Sequence, residues 1–177
     1  NQWFPNAKFI HIIRDGRDVA LSHQTMPYGS GNILECATAW VNRVSTNMLM
    51  GDILGPSVYL VIKYEDLILE SKNTLMRICS FLNVPYSDKM LEYEKTVAKR
   101  VPKEKMWLWP VLNQPPQVTK VFRWKKEMKQ NQRTIFEWTA GSLLKSLRYE
   151  TYENTPKNFT AYLLELWYFL DRNARVK

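Results

Sequence analysis

Apolar residues fall into two kinds of pattern along this chain. Two short, unbroken runs, at 9–13 and 58–62, are rich in β-branched residues and of strand length. Such continuous runs predict strands buried on both faces inside a parallel sheet. Elsewhere the apolar positions repeat at helical spacing. Ala37, Trp40, Val41, Val44 and Met48 predict a helix from residue 33 to about 54, ended by Gly51 and Gly55-Pro56. Leu75, Ile78, Cys79 and Leu82 predict a second over 71–82, stopped by Asn83-Val84-Pro85. Phe136, Ala140, Leu143, Leu144 and Leu147 predict a third over 136–150, and a charge-rich stretch at 87–100 reads as a helix capped by Ser87 or Asp88. Residues 23–32 and 106–119 carry Gly, Pro and Asn without periodicity, so both read as loops, the second ordered by Trp107 and Trp109. Strands separated by helices predict an α/β fold, a parallel sheet flanked by helices and helix-rich.

The first strand runs directly into Arg14-Asp15-Gly16-Arg17-Asp18, after which a helix-compatible pattern resumes through Ser22. Asp15 is a good N-cap, and Asp18 three residues later suits the reciprocal half of a capping box. Arg14 is therefore expected at the carboxyl end of a buried strand, where open α/β sheets place their ligands. A guanidinium offers a bidentate fork to a phosphate and a hydroxyl adds one more donor. With acidic residues in the first helical turn, side chains rather than bare amides should hold such an anion. The second strand ends similarly, in Lys63-Tyr64-Glu65-Asp66-Leu67, where Tyr64 offers a stacking face and a hydroxyl and Asp66 is expected to cap the next helix. Further on, Phe122-Arg123-Trp124-Lys125-Lys126 forms a basic-aromatic turn.

These stretches together resemble the sulfotransferases that use 3′-phosphoadenosine 5′-phosphosulfate. Their 3′-phosphate signature is a buried strand followed by Arg-Asp-x-Arg-Asp-x-x-x-Ser, and Arg14, Arg17, Asp18 and Ser22 match it at the right spacing. The Tyr-Glu-Asp-Leu tail at 64–67, Phe81-Leu82-Asn83-Val84-Pro85 and the turn at 121–127 follow in the family's order. The resemblance implies a fold related to the P-loop NTPases and sulfuryl transfer to an acceptor hydroxyl or amine. It also implies cofactor contacts from Arg14, Ser22, Tyr64 and Arg123, although Lys125 or Lys126 could do the work of Arg123. It spans residues 3–152, leaving 153–177 as a helical extension. There Phe159, Leu163, Leu166 and Leu170 form a stripe suited to packing on the domain, a partner chain or a second copy.

The chain departs from the family at several points. The family's Gly-rich loop for the 5′-phosphosulfate normally precedes the signature and has no counterpart in this sequence. A core strand within ten residues of Asn1 leads us to expect a fold incomplete at its amino terminus and part of a longer protein. The catalytic base also normally precedes the signature, so neither His11, expected as a satisfied core residue, nor His23 is assigned to it. Arg148 stands where the family's closing turn has glycine. Met26 occupies a position that is often basic in the tyrosylprotein group, which the Arg-Asp-Gly-Arg form otherwise resembles along with the bacterial enzymes.

Composition narrows the partners. In 177 residues with 45% apolar content there is enough for a sizeable core. Lys+Arg 25 against Asp+Glu 17 gives a net charge of +8, which suits an anionic partner such as a nucleotide, a nucleic acid or a sulfated glycan without choosing among them. Two rival readings are a non-catalytic nucleotide or nucleic-acid binding module and a P-loop kinase-like phosphotransferase; under the resemblance no nucleic acid is expected. Lys95, Lys99, Arg100, Lys103 and Lys105 read as a solvated basic face. Cys36 and Cys79 read as buried thiols rather than a disulfide or metal site, and no metal is expected. No apolar run approaches the roughly 20 residues of a membrane helix. A cytoplasmic location is expected, with the Golgi lumen as the alternative for a eukaryotic source, where the sequon Asn158-Phe159-Thr160 would matter.

Overall fold

The computed structural model describes residues 5–26, 29–92, 95 and 115–152. The expected extension at 153–177, residues 106–114 of the expected loop with Trp107 and Trp109, most of the basic run and the sequon lie outside the described residues. The elements, in order, are β1 (Phe9–Ile13), α1 (Gly16–Gln24), α2 (Ile33–Leu54), β2 (Tyr59–Lys63), α3 (Tyr64–Leu69) and α4 (Ser71–Leu82). They are followed by 3-10 turns at Asp88–Glu92 and Val118–Lys120, then α5 (Trp124–Glu127) and α6 (Gln130–Ser146). This is the expected α/β arrangement, helix-rich with a small parallel sheet. It divides into two compact units, one holding β1, β2, α3 and α4, the other α1, α2, α5 and α6.

In the first unit β1 and β2 pair in parallel, with Phe9 opposite Tyr59 and Ile13 opposite Lys63. The expectation that β1 is buried on both faces does not hold. Only Ile13 is fully buried, while Phe9 and Ile12 are 41% and 51% exposed, because the described sheet has two strands and leaves part of each apolar run uncovered. His11 is likewise not a satisfied core residue. It is half-buried edge-on to Tyr59, its Nδ1 has no hydrogen-bond partner among the described residues, and burial pushes its pKa down. Helix α4 has the predicted bounds and ends on Asn83 in the left-handed conformation (φ 57°). The amides of Asn83 and Val84 return to the carbonyls of Ser80 and Cys79, the closing pattern of a Schellman turn. Asp66 does not cap this helix. It lies inside α3, and its carbonyl accepts from the Glu70 amide and the Thr74 hydroxyl. Of the helix expected over 87–100, Asp88–Glu92 forms a 3-10 turn, with the Tyr86 hydroxyl donating to Asp88, and most of the rest lies outside the described residues.

In the second unit α2 has the predicted bounds and buries Ala37, Trp40 and Val44. Gly51 lies within the helix, and the break falls at Gly55, whose φ of +80° suits glycine. Asn32 starts α2, its side-chain oxygen accepting from the amides of Leu34 and Glu35. Helix α6 begins six residues earlier than its apolar spacing suggests and buries Ile135, Phe136, Ala140 and Leu144. Its end is again a Schellman turn, with Arg148 at φ 58° and the amides of Arg148 and Tyr149 bonded to Lys145 and Leu144. Arginine thus takes a backbone conformation that glycine adopts without strain. Cys36 and Cys79 are both free and buried, as expected.

Candidate anion-binding site

The motif after β1 forms a buried polar hub. Asp15 caps α1, its side chain accepting from the Arg17 amide at 3.0 Å. The same carboxylate takes the Arg17 guanidinium as a fork, Nε at 3.0 Å and Nη2 at 2.8 Å. Arg17 also donates Nη1 to Glu137 at 2.6 Å and Nη2 to the Glu150 carbonyl at 2.8 Å, and stacks 3.4 Å from the centroid of the Trp124 ring. Asp15, Arg17 and Asp18 are all fully buried. Burial alone would lower the Arg17 pKa, but Asp15 and Glu137 outweigh it and raise it, so the guanidinium stays charged. Four of its five N–H groups are thereby engaged and the side chain is fully buried, so Arg17 ties α1 to α6.

Gly16 is needed for this packing. A Cβ there would lie 2.5 Å from the Trp40 ring and 2.6 Å from Phe136. Trp40 is a core residue, as its helical stripe predicts, and its indole N–H also donates to the Arg14 carbonyl at 3.1 Å. The backbone of Arg14 is thereby held by the core while its side chain remains part-exposed, 3.7 Å from Asp18.

Asp18 does not complete a capping box. One carboxylate oxygen accepts from the Trp124 amide at 2.9 Å and the other faces Arg14. Burial pushes its carboxyl above the ordinary range, against the opposing effects of the Trp124 amide and Arg14. This role spans 106 residues of sequence and left no local signal.

Ser22 lies one turn beyond Asp18 on α1, and its hydroxyl accepts from Arg123 Nη2 at 3.1 Å. Arg123 Nη1 is 3.5 Å from Glu127, and its Nε is buried with no hydrogen-bond partner among the described residues. Within this turn Arg123 meets Ser22, while Lys125 pairs with Glu150. Phe122, just before it, sits at φ 53° and turns the chain so that Arg123 and Trp124 face α1. Of the four expected cofactor residues, Arg14, Ser22 and Arg123 share the second unit. Tyr64 opens α3 in the first, half-buried. No metal-binding group of acidic, His or Cys residues exists among the described residues.

Comparison with known proteins agrees with this motif. Residues 1–88 match the family described as the Sulfotransferase family. The chain is 30% identical over 103 residues to protein-tyrosine sulfotransferase A of Caenorhabditis elegans, a match covering 55% of this chain and 27% of the relative. It is also 30% identical over 103 residues to protein-tyrosine sulfotransferase 1 of Danio rerio, over 54% of this chain and 28% of that protein. The protein-tyrosine sulfotransferase of Drosophila melanogaster is 27% identical over 103 residues, 54% of this chain and 20% of the relative. Over residues 1–88 the chain belongs to the sulfotransferase family. Its matched part spans about a quarter of the length of the first two relatives. The expectation of a cytoplasmic location is corrected by the same finding: the relatives are protein-tyrosine sulfotransferases, which act in the Golgi, in line with the lumenal alternative.

Proposed function

We propose that this chain contributes the 3′-phosphate and adenine side of the cofactor site of a sulfotransferase that uses 3′-phosphoadenosine 5′-phosphosulfate. The observation that carries this reading is the Arg123–Ser22 hydrogen bond, which joins the motif to the basic-aromatic turn across 101 residues. The residues fit the group. Two guanidiniums and a hydroxyl lie around α1, and the buried Arg123 Nε still has a hydrogen to donate. A 3′-phosphate would take charge-assisted hydrogen bonds from Arg14 and Arg123 and a donor from Ser22; for Tyr64, a ring face for the nucleotide is what the family resemblance implies. When bound, the cofactor supplies the sulfuryl group and leaves as adenosine 3′,5′-bisphosphate.

The acceptor is a hydroxyl or amine, and the names of the relatives point to a tyrosine phenol of a protein. Deprotonating it and stabilising the bridging oxygen falls to groups outside those identified in this chain. Residues 1–152 act as the carboxyl-terminal part of the sulfotransferase domain, with 153–177 as an extension.

Calorimetric titration of the full chain with adenosine 3′,5′-bisphosphate tests the site. Arg14→Ala should weaken binding by roughly tenfold to a hundredfold, the range for losing a hydrogen bond to a charged group. Equal binding with and without Arg14 would sink the assignment.

A further inference from the structure

Asp18 is the acidic member of the motif that the nucleotide reading leaves without a task. It is nonetheless fully buried, and its partners are the residues that matter. One oxygen holds the Trp124 amide, the residue next to Arg123, at 2.9 Å, and the other lies 3.7 Å from Arg14 Nη2. Ser22, four residues further along α1, holds Arg123 itself at 3.1 Å. The turn is thus fastened to α1 at two adjacent residues by two side chains one helical turn apart. It needs fastening, because Phe122 at φ 53° occupies a conformation that bulky L residues adopt only where their surroundings impose it. A buried carboxylate is also an unfavourable way to satisfy the Trp124 and Phe122 amides, since burial disfavours its charge and a neutral acceptor would serve. The charge makes sense if it acts on Arg14 as well.

We propose that Asp18 is a positioning residue for the 3′-phosphate site, holding Arg14 through its charge and the Arg123-bearing turn through the Trp124 amide, so that both guanidiniums stand ready before the anion arrives. Asp18 donates nothing to the ligand. It reduces the ordering that binding would otherwise require, the usual source of affinity in preorganised sites. This rests on the nucleotide-site reading above.

The test compares adenosine 3′,5′-bisphosphate with adenosine 5′-monophosphate, which lacks the 3′-phosphate, by calorimetry on the full chain. Asp18→Ala should weaken the bisphosphate by roughly tenfold and leave the monophosphate within about twofold. Asp18→Asn keeps an oxygen for the Trp124 amide but loses the charge, so it should recover part of the loss, to about threefold below wild type. Hydrogen exchange at the Trp124 amide should quicken in Asp18→Ala and return towards wild type in Asp18→Asn. Equal losses for both nucleotides, or wild-type selectivity in Asp18→Asn, would overturn the proposal, and the second variant decides if Asp18→Ala does not fold. Should wild type fail to distinguish the two nucleotides, or Arg14→Ala bind like wild type, the nucleotide reading itself fails. If Arg14→Ala loses selectivity and the Asp18 variants do not, only the role of Asp18 fails.

Discussion

Two strand-to-helix junctions in this chain have similar sequences and opposite constructions. After β1, Arg-Asp-Gly-Arg-Asp closes into a fully buried hub in which Asp15 holds Arg17, and Arg17 and Asp18 reach partners more than 100 residues away in Glu137, Glu150 and Trp124. After β2, Tyr-Glu-Asp-Leu begins α3 at once, with no side-chain cap from Lys63. Here Glu65 is buried while Asp66 is exposed. An Asp close to a strand's end thus means different things in the two places. At the first junction it is the counter-charge of a buried guanidinium; at the second it is a surface charge near a helix start. The lesson is that residue type sets what a side chain can do, and its distant partners set how much that contributes.

The sharpest way to break this contrast is a matched pair of truncations. Asp15→Ala leaves Arg17 buried without its main counter-charge and should destabilise by about 3–5 kcal/mol. Asp66→Ala removes an exposed charge from a first helical turn and should cost only about 0.3–1 kcal/mol. Urea denaturation of both variants decides it, and comparable losses would mean that the first junction is no hub. Gly16→Ala comes next. Its methyl would meet Trp40 and Phe136 closer than real contacts allow, so an overpacking loss of about 1–3 kcal/mol is expected, with a changed near-ultraviolet signal from the tryptophans. An unchanged midpoint would show that the approach of α1 to α2 and α6 is looser than described.

The smallest effect concerns pH. Because burial raises the Asp18 pKa, the folded state holds that proton more tightly than the unfolded chain does. Ionisation of Asp18 therefore disfavours folding as pH rises from the ordinary carboxylate range, about 4, through the raised value, and the penalty persists above it. Relative to Asp18→Asn, wild type should lose stability across that window. Arg14, Asp15 and the Trp124 and Phe122 amides act on the group as well, so a difference that grows in favour of wild type with rising pH would mean that Arg14 and the amides outweigh burial.

Much of the fold was legible because it is local. Apolar spacing placed α2 and α4 at their observed bounds, since a stripe at helical period and an Asn or Gly stop act within a few residues. Two local readings failed for reasons of neighbourhood. The 9–13 run promised a strand covered on both faces, but coverage depends on how many strands flank it. Likewise Asp18 at three residues from Asp15 has the spacing of a capping box, yet a buried amide 106 residues away is its partner. Arg17 matched the family motif in type and spacing, but nothing nearby announced that it would be the structural arginine and Arg14 the part-exposed one.

By itself, then, the sequence determined the class of the chain, the strand-to-helix motif with Arg14 eight residues before Ser22, and the family to which that motif belongs. Periodicity, capping and turn residues are properties of short stretches and can be read there. Only the tertiary structure decided that Arg123, rather than Lys125, meets Ser22, that Arg17 is consumed by Asp15 and Glu137, and that Asp18 fastens the turn. Each of these depends on which groups share one desolvated space, and no short stretch of sequence contains that information.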